Sequence, residues 1–310
     1  MTMTEVALPE LAAAPGPGGA SRPMMGGEVA VRATGDAGMA ALEAVLDRIE
    51  AWASRLTRFD PSSDLVRLNA APSDRVRVGP TLTAVLDWAR GAEGMTDGLV
   101  DVAMLDARLA AESGRDASCP QSASRRWSIE RGPRASTVRR DPGVRFDLDG
   151  VAKGWLADRA LAITSGRSAM VDADGDIALR LAPGDAWGIG VADPRGDGAL
   201  LGILQFAAEE LPSRLGVATS GTSVHRWTHE TGGTHHLIDP RTWHPAATDI
   251  VQATVVAGTA REAEVLAKTA VIAGSGAAFR LLDRPGVLGA LVLTTRGEVC
   301  ATPEMLRWLA

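Results

Sequence analysis

Residues 146–160 read FDLDGVAKGWLADRA, and this stretch decides how the middle of the chain folds. An apolar run stops at Asp147 and Asp149, a glycine follows, and a helical pattern begins near Lys153. A strand, a glycine turn and a helix start form an anion site, because the free backbone N–H groups and the helix dipole both favour negative charge there. Lys153 would add a point charge suited to phosphate. Asp158, about one turn later, would take a ribose hydroxyl or an amino group.

The same spacing has a simpler interpretation. Asp149 and Lys153 stand at positions i and i+4, where an exposed acid–base pair stabilises a helix by a few tenths of a kcal/mol, about 0.2–0.5. The stretch taken alone leaves both interpretations open.

The composition is that of an ordinary globular protein. The chain has 310 residues, is 45% hydrophobic and 23% charged, and carries a net charge of -6. It has no long basic run, so we do not expect a nucleic-acid partner. Cys119 and Cys300 form neither a disulfide framework nor a CxxC metal motif, so we expect two ordinary thiols.

The first residues differ in composition from the remainder. Residues 1–22 are rich in alanine, proline and glycine and predict a disordered leader, followed by one domain over residues 23–310. The leader has no basic segment followed by an apolar core, and no apolar run of about 18 residues occurs anywhere in the chain. We therefore expect no membrane span and a cytoplasmic protein.

Periodic patterns predict a mixture of helices and strands. Residues 28–33 alternate as a strand does. Further strand patterns cover residues 126–132, 136–148, 168–181, 187–194, 215–221, 234–240 and 250–258, and residues 287–302 predict a closing hairpin. Helical spacing covers residues 36–57 and 81–93, the segment after Gly150 to about Ser165, and residues 260–273, where Thr259 and Glu262 match a capping box and Gly274 ends the helix. The fold class predicted is α/β (α+β), a single domain with largely antiparallel pairing.

Three further segments carry polar groups that suit either a ligand or a turn. DADGDIAL, residues 172–179, lacks the spacing of a calcium loop and predicts a hairpin turn. A strand ends at Thr219, Ser220 and Gly221. Their small side chains would permit close approach of a ligand, but they are equally typical of an ST-turn, in which a Ser or Thr hydroxyl bonds to the backbone. On the predicted helix, Glu264 and Lys268 form an i,i+4 pair that alone indicates a solvated face.

The segment THHLIDPRTWHP, residues 234–245, holds three of the five histidines, with Asp239 nearby. Neighbouring side chains of a strand point to opposite faces, so His235 and His236 cannot both face one site. A histidine beside an aspartate can transfer a proton, but the segment is equally consistent with a polar strand end. No zinc-ligand spacing is present.

Taken in order, these segments resemble the ApbE family of FAD-dependent FMN transferases. The family's Met-Gly step before a strand is matched by Met25 and Gly26, and its aromatic-Ser-acid segment ending in Leu-Asn by FDPSSDLVRLN from Phe59. Its aspartate segment is matched by Asp101. The other matches are DLDGVAKGWLAD from residue 147, DGDI from 174, WGIGVADP from 187, TSG from 219 and HLIDPRTW from 236, so the resemblance spans roughly residues 25–305.

The resemblance implies a T-fold-like domain with a mostly antiparallel sheet flanked by helices. It also implies transfer of FMN from FAD to a Thr or Ser hydroxyl of a target flavoprotein, with release of AMP and with help from a metal ion, usually magnesium. Alternatives are an FAD pyrophosphatase and a non-catalytic FAD-binding protein. The residues implied are His236, Asp239 and Lys153 in catalysis; Met25, Phe59, Asp101, Lys153, Asp158, Thr219, Ser220 and His236 in FAD binding; and Glu264 and Ala152 at the metal.

Several positions depart from the family pattern. Glu264 replaces an aspartate and Lys268 a threonine in the helix whose side chains contact the metal in the family. Asp149 and Trp243 each replace a glycine, and Phe59 stands where a tyrosine stacks on the flavin. Stacking survives that last change, because phenylalanine keeps the aromatic face.

Overall fold

The structure is a computed structural model that describes residues 4–5, 18–35, 37–115, 125–132, 135–196, 198–210, 212–229 and 232–310. Cys119 and most of the leader lie outside the described residues. No helix in the described part of the chain is both long enough and apolar enough to cross a membrane.

The described chain combines helices with antiparallel strands, which agrees with the predicted mixed class. The helices are α1 Met39–Leu56, α2 Asp64–Ala70, α3 Pro80–Met95, α4 Leu105–Glu112, α5 Lys153–Leu161, α6 Ala260–Ala273, α7 Ser275–Leu282 and α8 Pro303–Leu306. The strands are β1 Thr4–Glu5, β2 Gly19–Met24, β3 Gly27–Ala33, β4 Arg75–Val78, β5 Trp127–Arg131, β6 Ser136–Arg140, β7 Ala169–Ala173, β8 Asp176–Arg180, β9 Ala186–Ala192, β10 Leu200–Ala207, β11 Arg214–Gly221, β12 Arg226–His229, β13 Gly232–His235, β14 Ile238–Asp239, β15 His244–Pro245, β16 Ile250–Ala257, β17 Val287–Thr294 and β18 Val299–Ala301.

The contacts divide the chain into two compact units. Unit 1 consists of Met1–Ile49, Lys153–Ser223 and Thr248–Ala310, and unit 2 of Glu50–Ala152 and Val224–Ala247. Unit 2 is thus formed by two chain segments, each of which interrupts the sequence of unit 1. The assignment of residues 23–310 to one domain stays a prediction.

Unit 1 is built on one antiparallel sheet of nine strands. Their order is β1-β18-β17-β16-β11-β8-β7-β3-β2. Every neighbouring pair in that order is antiparallel. The strand β2 begins at Gly19, so the sheet reaches back into residues that the composition assigned to the leader. Helices α5 and α6 pack against the central strands.

The core of unit 1 follows from the strand patterns. Alternate residues of β8, β11 and β16 pack with β9 and β10 around the fully buried Phe206, Leu204 and Leu179. The other packing surface is lined by alanines, among them Ala218, Ala257 and Ala263. Such small side chains let a helix approach a sheet closely, and this proximity brings α6 to the middle of the sheet.

Unit 2 contains shorter elements. Its sheets are β4-β6-β5, β12-β13 and β14-β15, all antiparallel. Helix α3 buries Leu82, Val85, Leu86 and Ala89, which is the apolar face that the sequence predicts. Helix α4 packs Met104 and Ala107 against Ile238.

Two predicted boundaries change in the structure. The helix after Gly150 ends at Leu161 rather than near Ser165, because Thr164 turns its hydroxyl back to the Ala160 carbonyl and Arg180 binds the Leu161 and Thr164 carbonyls. The strand pattern of residues 136–148 forms a strand over Ser136–Arg140 alone.

Candidate functional site

In unit 1, the start of α5 is held against the turn between β7 and β8. Lys153 Nζ lies 2.6 Å from Asp174 Oδ2. Asp174 and Gly175 both have positive φ, at 58° and 90°, as a two-residue hairpin turn with the Asp-Gly sequence requires. The hairpin predicted for residues 172–179 is therefore present, and it supplies a carboxylate partner that the sequence interpretation did not assign to Lys153.

The Met25–Gly26 step forms a second tight turn beside the first. Both residues have positive φ, at 57° and 91°, between β2 and β3. The next residue, Gly27, has no room for a side chain, because a Cβ there would lie 1.9 Å from Asp174 Oδ1. Met25, Gly27, Asp174 and Lys153 thus occupy one end of unit 1.

The first turn of α5 binds an internal carboxylate. Glu264, which is 5% exposed, accepts a hydrogen bond of 3.0 Å at Oε2 from the Gly154 N–H. Gly154 is necessary for this contact, because a Cβ would lie 2.6 Å from the Ala260 carbonyl oxygen and 2.7 Å from Arg261 Cα. The start of α5 thus binds the carboxylate of Glu264, and a phosphate ligand at this helix start stays a prediction.

Asp158 caps the next helix. Its Oδ1 accepts from the Ala260 N–H at 3.0 Å and its Oδ2 from the Arg261 N–H at 3.1 Å. Burial raises the pKa of this carboxyl above its ordinary value, and the two backbone N–H groups oppose that rise. Asp158 therefore stabilises the start of α6, while its role toward FAD stays a prediction.

Thr219 and Ser220 lie at the end of β11. Thr219 is exposed, and its Oγ1 is 2.9 Å from Oγ1 of the buried Thr254 on β16. At the opposite end of the same strand, Gly216 lets α6 approach, since a Cβ there would lie 2.1 Å from the Ala260 nitrogen. One strand therefore carries the small hydroxyl groups at one end and supports α6 at the other.

The donors implied for a metal are few but chemically suitable. Glu264 offers a carboxylate, and Ala152 has its backbone carbonyl to offer; both are the hard oxygen donors that magnesium prefers. In the described ranges no group of three or more His, Cys, Asp or Glu side chains converges on one point.

In unit 2, His236 has a defined ring orientation. Its Nδ1 lies 3.1 Å from the Val224 carbonyl oxygen, and a carbonyl can only accept. The proton of the neutral ring is therefore assigned to Nδ1, which leaves the lone pair on Nε2. The ring of His225 stands edge-on at 5.3 Å, and the His236 carbonyl accepts from Arg108 at 3.2 Å.

The carboxylate of Asp239 is hydrogen-bonded to Arg241. The guanidinium donates from Nε at 2.9 Å and from Nη2 at 2.7 Å, and the Arg241 N–H adds a bond of 2.9 Å. Burial would raise the pKa of Asp239, but these three bonds lower it below the ordinary value. Within the described residues the Asp239 carboxylate bonds to Arg241 and not to His236. A catalytic role for Asp239 stays a prediction.

Phe59 and Asp101 lie in different surroundings. Phe59 is 78% exposed, with the Arg58 guanidinium 4.2 Å above its ring. Asp101 is 8% exposed at its side chain and pairs with Arg125 at 2.7 Å. An exposed aromatic face is available for stacking, so Phe59 remains a candidate for contact with a planar ligand.

Arg108 is the polar residue of unit 2 that sequence reasoning missed. It is 6% exposed and donates to Asp149 at 2.8 Å and to Glu112 at 2.9 Å. Burial would lower its pKa, but Asp149, Asp147 and Glu112 outweigh that effect and raise it. The i,i+4 spacing of Arg108 and Glu112 on α4 was the available signal.

The pairing of Arg108 explains a departure from the family pattern. Asp149 stands where the family pattern has a glycine, so it adds a negative charge to unit 2. The buried guanidinium of Arg108 neutralises the negative charge of Asp149.

The predicted residues are distributed over both units. Met25, Lys153, Asp158, Thr219, Ser220 and Glu264 belong to unit 1, and Phe59, Asp101, Ala152, His236 and Asp239 to unit 2. Inside unit 1, Glu264 binds Gly154, the residue that follows Lys153 on α5.

Comparisons with known proteins agree on one family. The model of the ApbE family matches residues 25–292. The FAD:protein FMN transferase of Treponema pallidum is 31% identical over 159 residues, which cover 47% of this chain and 42% of the relative. The enzyme of the same description from Klebsiella pneumoniae is 26% identical over 180 residues, covering 56% and 53%. The chain thus spans about half the length of the curated relatives it matches.

Solved structures share the fold. The crystal structure of the ApbE protein from Thermotoga maritima superposes with a TM-score of 0.77 at 22% identity, covering 94% of this chain and 99% of the other. The apo form of the flavinyl transferase ApbE from Pseudomonas stutzeri gives 0.74 at 18% identity, covering 94% and 96%. A family match over most of the chain and this fold lead to one conclusion: the chain belongs to the ApbE family.

Proposed function

We propose that the protein is an FAD:protein FMN transferase. Family membership supports this activity, and the curated relatives that the chain matches are described as FAD:protein FMN transferases. In the reaction, the hydroxyl oxygen of a Thr or Ser in the acceptor protein attacks the phosphorus on the FMN side of the FAD pyrophosphate. The bridging P–O bond breaks, AMP leaves, and the hydroxyl proton passes to a base.

The base that we propose is His236. The contact of Nδ1 with the Val224 carbonyl is the observation that carries this assignment, because it places the lone pair of the neutral ring on Nε2. A general base needs a lone pair in a fixed orientation toward the proton it takes.

Charge on the pyrophosphate would be neutralised by Lys153. Its ammonium stands at the start of α5, where the helix dipole also favours an anion. Magnesium, held by Glu264 and the Ala152 carbonyl, would supply further neutralisation when bound. Six further residues are proposed for FAD binding: Met25, Phe59, Asp101, Asp158, Thr219 and Ser220. Asp239 would determine the surroundings of His236.

The activity is tested by incubating the purified protein with FAD, with and without magnesium, and following AMP by chromatography. A flavin-acceptor domain with a modifiable threonine is added in parallel, and its Thr→Ala variant is the control. We expect AMP and a fluorescent acceptor, with no label on the control. AMP and free FMN without label would identify a pyrophosphatase, and bound FAD without AMP a binding protein.

The metal assignment is tested at Lys268, which stands one turn after Glu264 on α6. Replacing Lys268 by Thr removes a positive charge and adds an oxygen donor, so we expect half-maximal activity at a lower magnesium concentration. Lys268→Met removes the charge alone and separates the two effects. An unchanged magnesium dependence in both variants would place Lys268 outside the metal's surroundings.

We also propose that the protein acts in the cytoplasm. Cell fractionation followed by immunoblotting checks this directly, and recovery in an extracytoplasmic fraction would contradict it.

A further inference from the structure

The short hairpin of unit 2 ends its loop on a residue with an unusual backbone. Asp239 of β14 pairs with His244 of β15, so residues 240–243 form the loop between the two strands. The last of these residues, Trp243, has a φ of 67°. Such a left-handed conformation is an outlier for a bulky residue, because the Cβ atom comes too close to the following carbonyl oxygen.

The turn explains this conformation but not the choice of tryptophan. The N–H groups of Thr242 and Trp243 both donate to the Asp239 carbonyl, at 3.1 and 2.9 Å, and these bonds close the loop. Glycine adopts positive φ without steric cost, and the family pattern has a glycine at this position. A side chain that keeps an unfavourable backbone conformation is held there by its surroundings, and such positions cluster at functional sites.

The side chain of Trp243 packs on a buried apolar cluster of unit 2. The cluster consists of Met104, Ala107 and Ala111, which lie on α4 or just before it, and of Ile238 on β14. Trp243 itself is half-buried. The apolar surface that it covers favours folding and offsets part of the unfavourable φ. Packing alone, however, requires an apolar side chain and not an aromatic ring.

The aromatic ring also has a charged neighbour. The guanidinium carbon of Arg125 lies 5.5 Å from the centre of the Trp243 ring, within the roughly 6 Å of a cation–π contact. Nη1 of Arg125 is 3.1 Å from Met104 Sδ, in the cluster on which the ring packs. The Arg125 side chain is 31% exposed, so these contacts restrict a guanidinium group that burial alone would leave able to turn.

Arg125 in turn fixes Asp101, one of the residues proposed for FAD binding. Asp101 Oδ2 accepts from Arg125 Nη1 at 2.7 Å, and Oδ1 accepts from the Ala103 N–H at 2.8 Å. The Asp101 side chain is 8% exposed, and a nearly buried charge is strongly destabilising once its partner is removed. The orientation of Asp101 therefore depends on Arg125, and that of Arg125 on the ring of Trp243.

We propose that Trp243 is a positioning residue for FAD binding, whose ring holds the Arg125 guanidinium on Asp101. This assignment rests on the proposed transferase activity and on the FAD contact proposed for Asp101. Neither Trp243 nor Arg125 is assigned to the proton transfer or to the charge on the pyrophosphate. Loss of the ring should therefore raise the KM for FAD and leave kcat nearly unchanged, as expected when binding of the ground state and of the transition state weakens equally.

Three substitutions of Trp243 separate its ring from its bulk and its backbone. Trp243→Phe keeps an aromatic face, Trp243→Leu keeps apolar bulk alone, and Trp243→Gly removes the side chain and relieves the unfavourable φ. In fluorescence titrations we expect Trp243→Phe to bind FAD within about threefold of the natural protein, and the Leu and Gly variants to bind it at least about tenfold more weakly. The rate of AMP formation at varied FAD concentration gives KM and kcat.

Asp97→Gly is the matched control. Asp97 is an exposed residue of unit 2 with a φ of 51°, so this change also relieves a left-handed backbone. It should leave FAD affinity unchanged.

Arg125→Gln tests whether Trp243 acts through the arginine. The double variant with Trp243→Gly should bind FAD no more weakly than Arg125→Gln alone, because the two residues form one chain of contacts and their effects do not add. Natural FAD affinity in a folded Trp243→Leu or Trp243→Gly variant overturns the proposal, and so do losses that add in full in the double variant. If the natural protein binds FAD but releases no AMP, the transferase activity fails while the affinities still decide the role of Trp243. A natural protein that binds no FAD overturns both.

Discussion

His236 and His235 are neighbours with different ring contacts. His235 has both nitrogens in use, since Nδ1 accepts from the Leu237 N–H at 3.3 Å and Nε2 lies 3.1 Å from the Ala246 carbonyl. His236 places its Nδ1 on a carbonyl and its lone pair on Nε2. The two residues therefore form a natural pair for testing which histidine takes the proton.

We expect His236→Ala to retain FAD and to lose transfer by about 100-fold or more, the usual contribution of a positioned base. His235→Ala should keep transfer within a few-fold. FAD affinity is measured by fluorescence titration and transfer by labelling of the acceptor. Full transfer by His236→Ala would remove this residue from the mechanism.

Substitution of Lys153 distinguishes two contributions of this residue: the ion pair with Asp174, which affects stability, and the proposed contact with the pyrophosphate, which affects activity. Its pair with Asp174 is partly exposed, with side chains 23% and 33% accessible, and such pairs stabilise a protein by about 1 kcal/mol at most. Lys153→Met should therefore lower AMP formation by about 100-fold, while the melting temperature falls by a few degrees at most.

Asp174→Asn breaks the same ion pair and keeps the lysine. We expect it to retain most of the activity, with a similar small change in melting temperature. If both variants lose activity equally, Lys153 acts through Asp174 and not on the pyrophosphate.

Among the helices, α5 and α6 meet at a point where only a hydrogen atom fits. A methyl group on Gly154 would press on the backbone of Ala260 and Arg261, and backbone cannot turn aside as a side chain does. We expect Gly154→Ala to lower the free energy of unfolding by about 1–3 kcal/mol, as overpacking usually does. Chemical denaturation measures this.

Gly91→Ala is the matched control within a helix. Gly91 lies inside α3 and a Cβ there would meet nothing within 4 Å, so the change should stabilise the protein by about 0.5–1 kcal/mol through helix propensity. Equal effects of the two substitutions would show that α5 and α6 can move apart.

Three strands of unit 1 are joined by one acid. Asp185, just before β9, accepts from Arg167 Nη2 at 2.5 Å, from Ser168 Oγ at 2.6 Å and from Thr34 Oγ1 at 3.4 Å. Arg167 and then Ser168 lower the pKa of Asp185 from 3.8 to about 2. A lowered pKa means that the ionised form favours the folded state.

The stabilisation from Asp185 should therefore be complete above about pH 4 and be lost as the pH falls toward 2. Asp185→Asn lacks it at every pH. We expect the stability gap between the natural protein and this variant to be constant near neutrality and to close between pH 4 and 2, as followed by denaturation at each pH. A gap independent of pH over that range would contradict the assignment.

Local patterns in the sequence predict the elements well where a cap or a long apolar face is present. The helix α6 begins after Thr259 and ends before Gly274, as its capping residues indicate, and Thr259 does accept from the Glu262 N–H. The helices α4 and α7 were missed, because each has eight residues and no side-chain cap. The strand β2 was missed because its residues GASRPM have the composition of a loop.

The candidate site was predictable as a set of segments but not as a set of contacts. Lys153 and Glu264 were found from their motifs, whereas Asp174 and Arg108 appear as partners only once distant segments meet. Such pairings depend on the order of strands in a sheet, and a local pattern does not contain that order.

For the molecule as a whole, the resemblance to the family predicted the fold and the family membership. The match to the ApbE family confirms the resemblance over most of the chain. The division into two units was not foreseen, because each unit is assembled from segments that are separated in the sequence.

This separation has a consequence for synthesis on the ribosome. The strand β3 ends at Ala33, and its partner β7 begins at Ala169, so the nascent strand must wait for well over a hundred further residues before its second edge is covered. At about 5–20 residues per second this delay lasts roughly 7–27 seconds. During that time the β2–β3 hairpin has one strand edge without its partner β7, and an unpaired strand edge can pair with another chain.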